Sequence, residues 1–271
     1  MKTIKKSTNM KAVILAAGVG SRIRPLTDNC PKSLLKVGGH TILDMMISHI
    51  RDCGITEIVF VLGYLQEQIK EYVTHNFPEL NAHFITNEQY ATTNTGFSLM
   101  LTRDLVAGSS FIKFDADVVF DKTILSQLIG CEHDNALCID KNIHLDAEEI
   151  KVIIRENNRV VKASKTVNPT EAIGESIGIE KISAGTAIQL FAELEVMMQD
   201  EKNHQQYYEA AYERLIEKDV PFYALDISGL KWIEIDTKED FITAKEIFGS
   251  KRLCRKLNLR SKPYSMTGVR P

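Results

Sequence analysis

The residues best equipped for chemistry lie on either side of an apolar run near the start of the chain and at the end of a second run one hundred residues later. Ala12-Val13-Ile14-Leu15-Ala16-Ala17 has the length and composition of a buried central strand, and it ends abruptly in Gly18 and Gly20. Glycines let backbone N–H groups approach a bound group with no Cβ in the way. Arg22, Arg24 and Lys32 follow on a loop, so a polyanion such as a nucleoside triphosphate is the natural guest. Further on, Ser110-Phe111-Ile112-Lys113-Phe114 runs into Asp115-Ala116-Asp117. Carboxylates at i and i+2 lie on one side of an extended backbone. Beside a triphosphate they suit Mg²⁺, which takes one or two carboxylates plus phosphate oxygens. A solvated strand end is the plainer account of the same two aspartates.

Two familiar phosphate loops are excluded by spelling. A P-loop needs G-x-x-x-x-G-K-[ST], and no such spacing occurs. A dinucleotide fingerprint needs G-x-G-x-x-G, but Ile23 fills the third glycine position and is too large for close helix–strand packing. The acidic residue expected about twenty positions on is also missing.

The loop instead resembles the signature of the sugar-phosphate nucleotidyltransferase superfamily, L-A-A-G-x-G-[ST]-R-[LI]-x-P-x-T followed by P-K-[SAP]-[LM]. It is met from Leu15 to Thr27 and again at Pro31-Lys32-Ser33-Leu34. The resemblance implies a GT-A-like, Rossmann-like α/β fold and a nucleotide site formed by Leu15, Ala16, Ala17, Gly18, Gly20 and Ser21. Arg22 and Lys32 become the expected catalytic residues, and Asp115 a nucleotide contact. Asp117 is the expected ligand of Mg²⁺. Trp232-Ile233-Glu234-Ile235-Asp236-Thr237-Lys238-Glu239-Asp240 is similar to the context of the family's second metal aspartate, which makes Asp236 its partner.

From Met10 to Phe248 the chain looks most like the cytidylyltransferase branch, whose members act on phosphocholine, inositol phosphate, aminoethylphosphonate and similar small compounds. Ile139-Asp140-Lys141, Asp146-Ala147-Glu148-Glu149, Gly174-Glu175-Ser176-Ile177-Gly178-Ile179 and Tyr207-Tyr208-Glu209 carry that likeness. It implies CTP as donor, with Lys141 and Glu175 on the acceptor side; ordinary surface charge is the alternative for those two.

The elements that must position these residues alternate. Ile42, Met45, Met46, His49, Ile50 and Cys53 make the apolar stripe of a helix that Gly54 ends. On that stripe His49 reads as a packed residue. Glu57–Leu62 is a second strand broken by Gly63-Tyr64, a helix spans about 65–74, and Ala82–Thr86 is a third strand. Strands alternating with helices predict a mixed, mostly parallel sheet with helices on both faces and ligands at the strands' carboxyl ends. Gly18–Arg22, Gly63 and the loop from Asn87 should therefore converge on one crevice. Asn94 and Thr95 fit equally as helix cap and, as the family resemblance implies, as nucleotide contacts.

Later segments change character. Lys151–Arg155 and Arg159–Ala163 flank Glu156-Asn157-Asn158, a hairpin signal because asparagine tolerates positive φ. They predict a small antiparallel addition that closes over the acceptor. Two helices are expected at 186–198 and 204–218, the second with a stripe of Tyr207, Tyr208 and Tyr212 that is either core or an aromatic wall for a cationic ammonium. A final strand pair is expected at 221–227 and 231–235, then a helix opened by a Thr237/Asp240 capping box.

Composition sets the outer bounds. At 271 residues with 44% hydrophobic and 25% charged content, the chain can bury a full core. The net charge of −3 gives no sign of a nucleic-acid partner. Five cysteines without C-x-x-C spacing read as reduced thiols, and no apolar run approaches the ~20 residues of a bilayer span. With no h-region in residues 1–9, the expected compartment is the cytoplasm. The expected organisation is an N-terminal extension at 1–9, one domain at 10–248 and a basic tail at 249–271. Within the domain, 10–140 is the nucleotide half and 141–248 the acceptor half; a homo-oligomer is compatible with this.

The implied reaction is in-line attack of a phosphate or phosphonate oxygen on the α-phosphorus of the triphosphate, with pyrophosphate leaving. Two other readings stay open: a sugar-1-phosphate nucleotidyltransferase using UTP, dTTP or GTP, and a non-catalytic nucleotide-binding regulatory subunit.

Overall fold

The computed structural model describes residues 10–146 and 148–249. The expected extension at 1–9, Ala147, and the basic tail from residue 250 onward lie outside the described residues.

In chain order the strands are β1 Met10–Ala16, β2 Lys36–Val37, β3 His40–Thr41, β4 Glu57–Leu62, β5 Asn81–Thr86, β6 Ser110–Asp115 and β7 Val118–Phe120. They continue as β8 Ala136–Asp140, β9 Lys151–Ile154, β10 Val160–Ser164, β11 Gly174–Ile182, β12 Tyr223–Asp226 and β13 Trp232–Glu234. The helices are α1 Ile42–Asp52, α2 Gln66–Asn76, α3 Thr95–Met100, α4 Arg103–Val106, α5 Lys122–Gly130, α6 Ala184–Met198, α7 Glu209–Glu217 and α8 Lys238–Phe248.

The mixed sheet is as expected. β5, β4, β1 and β6 run parallel in that spatial order, with β1 in the interior. Full burial on both faces explains why β1 reads as a continuous apolar run. Ala12 and Ile14 face a core closed by α1, α2 and α5, whereas Val13 and Leu15 face one closed by α3, α6 and α7. A third, smaller core of Ile23, Val37, Ile42, Ile235, Phe241 and Phe248 ties α8 to the loop after β1.

The antiparallel strands are part of this same sheet. β11 pairs antiparallel with β6, and β9 and β8 both pair with β11. The β9–β10 hairpin forms as expected, with Asn157 and Asn158 at φ 58° and 60°. Two expectations need correction. The segments at 221–227 and 231–235 do not pair with each other: β12 runs parallel to β8, and β13 runs antiparallel to β7. Short strands carry too little pattern to name their partners. The second correction is that residues 201–205 form a one-turn 3₁₀ segment and α7 begins only at Glu209.

His49 is packed as expected, edge-on to Phe120 and 4% exposed. Burial, the largest influence, pulls its imidazole down to about 4 although Asp121 and Asp52 push the other way. The folded protein therefore resists a proton that the unfolded chain accepts at ordinary pKa, so stability is present above pH 6.5 and lost as pH falls toward 4. This one residue should cost up to about 3 kcal/mol on acidification. Urea unfolding of the wild type and His49→Leu at pH 7 and pH 4.5 checks it, and parallel losses in the two proteins would refute it.

Candidate active site

The loop after β1 is held open by its own backbone. Gly20 takes φ 64°, and the Thr27 hydroxyl donates to its carbonyl oxygen at 2.7 Å. A Cβ there would sit 3.1 Å from the Thr27 methyl, so the left-handed turn and the packing both call for glycine. The 3₁₀ turn Ser21–Ile23 then buries Ile23 and leaves Arg22 on the cavity wall.

Lys32 and Arg22 meet two distant aspartates. Lys32 Nζ donates to Asp117 Oδ2 at 2.8 Å and to Asp236 Oδ1 at 2.6 Å. The aspartates outweigh the burial that would lower its pKa, so the ammonium is held charged. Arg22 donates to Asp236 Oδ2 at 2.6 Å and reaches Glu148 at 3.5 Å. The β7–β13 ribbon joins these residues: the amide of Ile235 donates to the carbonyl of Asp117 at 3.1 Å. The capping box fixes the other side, because Asp240 accepts from the amides of both Asp236 and Thr237.

Glu234 joins this pair, with the carboxylate oxygens of Asp117, Glu234 and Asp236 all within 4.8 Å of one another. Glu234 is exposed at the cavity rim, and desolvation there together with the charges of Asp117 and Asp236 pushes its acid upward. Sequence reading missed it, although the i, i+2 rule applied to Asp115 and Asp117 also relates Glu234 to Asp236. The group suits a divalent cation. Asp117 Oδ1 is buried without a hydrogen-bond partner, and three carboxylates against one ammonium and one guanidinium leave a demand for positive charge.

Asp115 turns the other way. Its carboxylate accepts from Lys113 Nζ at 2.8 Å and from the Tyr208 hydroxyl at 3.0 Å. Lys113 is wholly buried and also meets Glu180 at 2.9 Å and the Gly178 carbonyl at 3.1 Å. Burial raises Asp115, and Lys113 offsets part of that rise. The two aspartates of the motif thus have different partners, since the strand ends at Asp115 and alternation no longer holds beyond it. Gly178 makes room: its φ is 74°, and a Cβ would collide with the Asp115 carboxylate. Gly178→Ala should therefore destabilise by at least about 2 kcal/mol in urea unfolding. A loss under half of that would show that Asp115 yields freely.

These groups line one cavity of about 940 Å³ at the carboxyl ends of the strands. All the expected site residues border it except Gly63 and Lys141. Gly63 lies behind the wall: a Cβ would come within 2.6 Å of the Tyr90 side chain and 2.7 Å of the Ala17 carbonyl, so its role is close packing of two loops. Lys141 points to Asp226, 3.0 Å away, and Lys165 is the acceptor-half lysine that faces the cavity. Asn87 is almost fully enclosed, its amide donating to Thr93 and Ser98. Asn94 caps α3, and the Thr95 hydroxyl accepts from the Tyr208 amide at 3.4 Å.

The far end is acidic and aromatic. Glu175 is buried, and burial together with Glu149, Asp140 and Asp146 pushes it up to about 8. Trp232 donates its indole N–H to Asp140 at 2.7 Å. The tyrosine stripe divides between its two readings: Tyr212 is core, Tyr208 is buried at the cavity floor, and Tyr207 is exposed on the wall. Among the described residues no helix is long and apolar enough to cross a membrane.

A family model described as Nucleotidyl transferase matches residues 11–160. The chain is 30% identical over 253 residues to the CTP:phosphoglutamine cytidylyltransferase of Campylobacter jejuni, spanning 85% of this chain and 97% of that protein. A choline-phosphate cytidylyltransferase of Streptococcus pneumoniae is 38% identical over 108 residues, 40% of this chain and 44% of its own length. Among solved structures, the CTP:phosphocholine cytidylyltransferase from Streptococcus pneumoniae has a TM-score of 0.73 at 24% identity, with 88% of this chain and 98% of that one covered. The inositol-1-phosphate CTP transferase from T. maritima also scores 0.73, at 18% identity, over 89% of this chain and 97% of that one. At these identities the two structures speak for the fold.

Proposed function

The chain belongs to the nucleotidyl transferase family, and from that premise we propose that it is a Mg²⁺-dependent cytidylyltransferase. It would transfer CMP from CTP to the phosphate or phosphonate oxygen of a small acceptor and release pyrophosphate. The observation that carries this reading is the meeting of Arg22, Lys32, Asp117 and Asp236 at one end of a single cavity. A binding-only subunit has no need for that set. The cytidylyl specificity draws on the named activities of the relatives.

The chain's own residues have separable tasks. The N–H groups of the loop after β1 receive the triphosphate, and Arg22 is placed to hold its outer phosphates with a fork of donors. Lys32 supplies a point charge where negative charge shifts toward the leaving pyrophosphate. Asp117 and Asp236, with Glu234 beside them, would hold the metal, which when bound screens the phosphate oxygens from one another. The attacking phosphate oxygen is already ionised, so no general base is required. Holding two anions in line accounts for most of the expected rate. Residues 10–140 supply the donor half and 141–248 the acceptor half, with Asp236 reaching back across. The cytoplasm, where CTP is made, is the corresponding compartment.

Pyrophosphate release with Mg²⁺ tests the proposal, crossing CTP, UTP, dTTP and GTP with small phospho-acceptors and hexose 1-phosphates. CTP with a small acceptor is expected to turn over. Turnover confined to UTP or dTTP with a hexose phosphate would overturn it in favour of a sugar-1-phosphate enzyme.

A further inference from the structure

At the acceptor end of the cavity, Glu175 lies on β11 and is 6% exposed, yet its carboxyl group has no hydrogen-bond partner among the described residues. A carboxyl enclosed to this degree and given no protein partner is completed from the cavity, by water or by the group that displaces it. Glu209, the first residue of α7, repeats the pattern independently. It borders the same cavity, is 5% exposed, and its Oε2 has no partner. Glu149 and Asp146, from the loop before β9, add negative charge beside Glu175. This end of the cavity therefore asks for hydrogen-bond donors carrying positive charge.

The aromatic rings decide which kind of cation. A quaternary ammonium has no N–H to donate and is bound through the faces of several aromatic rings. Here two of the three candidate rings already carry a cation of the protein. Lys113 Nζ sits 3.7 Å from the centroid of Tyr208, and Lys165 Nζ sits 4.9 Å from that of Tyr207. Trp232 alone does not make a cage, and its N–H is engaged by Asp140. A quaternary headgroup would leave Glu175 and Glu209 unpaired and find few free aromatic faces. A neutral polyol would supply donors but leave an acidic field that Lys151 beside Glu175 and Lys113 beside Glu209 offset only in part.

Resting on the cytidylyl-transfer reading, we propose that the acceptor carries a primary ammonium group seated at Glu175, and that this carboxyl selects aminoalkyl phosphates or phosphonates over quaternary and neutral acceptors. Glu175 acts as a specificity-determining residue, distant from the reacting phosphorus, and Glu209 offers a second acceptor to the same substrate.

The test uses the full-length protein with Mg²⁺ and measures two quantities for each acceptor. One is calorimetric binding in the presence of α,β-methylene CTP, and the other is pyrophosphate release with CTP. Phosphoethanolamine and 2-aminoethylphosphonate are compared with phosphocholine and glycerol 3-phosphate. The amines are expected to bind at least about tenfold more tightly, the increment of one charge-assisted hydrogen bond. Glu175→Gln, which keeps the shape, should shrink that preference to about threefold or less. If that variant fails to fold, Glu149→Gln on the outer loop should still lower the preference by about twofold to threefold through the lost field alone. Equal or tighter binding of phosphocholine or glycerol phosphate overturns the proposal, as does binding of neither amine, or a preference unchanged in Glu175→Gln. Amine binding without turnover of CTP would overturn the donor assignment and leave this inference standing. Turnover of CTP with glycerol phosphate alone would do the reverse.

Discussion

Asp117→Asn and Asp236→Asn are each expected to lower turnover by about a thousandfold, the scale of losing one electrostatic contact made to the reacting phosphates. Stability should barely follow. Asp117, Glu234 and Asp236 repel one another across less than 5 Å, so neutralising one relieves a cost as it weakens the contact to Lys32 and, for Asp236, the exposed contact to Arg22. The melting midpoint should move by no more than about 3 °C in either direction. Pyrophosphate-release kinetics and calorimetry on the same samples separate the two effects. Rates within tenfold of wild type in both variants would remove these aspartates from the metal site. A fall in activity matched by a collapse in midpoint would give them a structural role instead.

Lys113→Met is expected to have the largest effect on stability. Burial alone would depress this ammonium, but Asp115 and Glu180 outweigh it, and the charge persists at the base of the cavity. Removing it leaves the buried Glu180 carboxyl and the partly buried Asp115 carboxyl without their shared cation, and the Tyr208 hydroxyl without its donor. Breaking a buried pair from one side typically costs about 3–5 kcal/mol. Glu180 is already pushed up to about 7 by burial and by Asp115, so it can take a proton and soften the loss. A drop of about 3 kcal/mol in urea unfolding is therefore expected at pH 7.5, shrinking as the pH falls and both acids protonate. A loss below about 1 kcal/mol would show that the cluster is held together by packing.

How much of this was legible in the sequence varies with the range of the interaction. The Asn157-Asn158 hairpin and the Thr237/Asp240 capping box are local, with the deciding partner within a few residues, and they were read correctly. The mixed sheet was legible because β1, β4 and β6 are buried on both faces and carry long apolar runs. The partners of β12 and β13 were not, since strands of four and three residues have no periodicity to match against a neighbour. Lys113 is spelled as one polar residue inside an apolar strand, and nothing local reveals that Glu180 and Tyr208 will join Asp115 around it. Lys141 and Gly63 lie off the cavity wall for the same reason: motif resemblance gives a position along the chain, whereas Asp226 and Tyr90 set its orientation in space.

The place of β11 in the sheet has a bearing on how the protein is made. Residues 174–182 lie between strands completed some sixty residues earlier and the β8–β9 segment. Until they emerge, β6 offers an unpaired edge, Lys113 lacks Glu180, and Asp115 lacks Gly178 against it. A truncation after residue 160, the limit of the family match, would keep Arg22, Lys32 and Asp117 and yet present an open hydrophobic edge, a template for aggregation. During synthesis the N-terminal half must wait for its central strand, so competence to fold and competence to catalyse are acquired together and late.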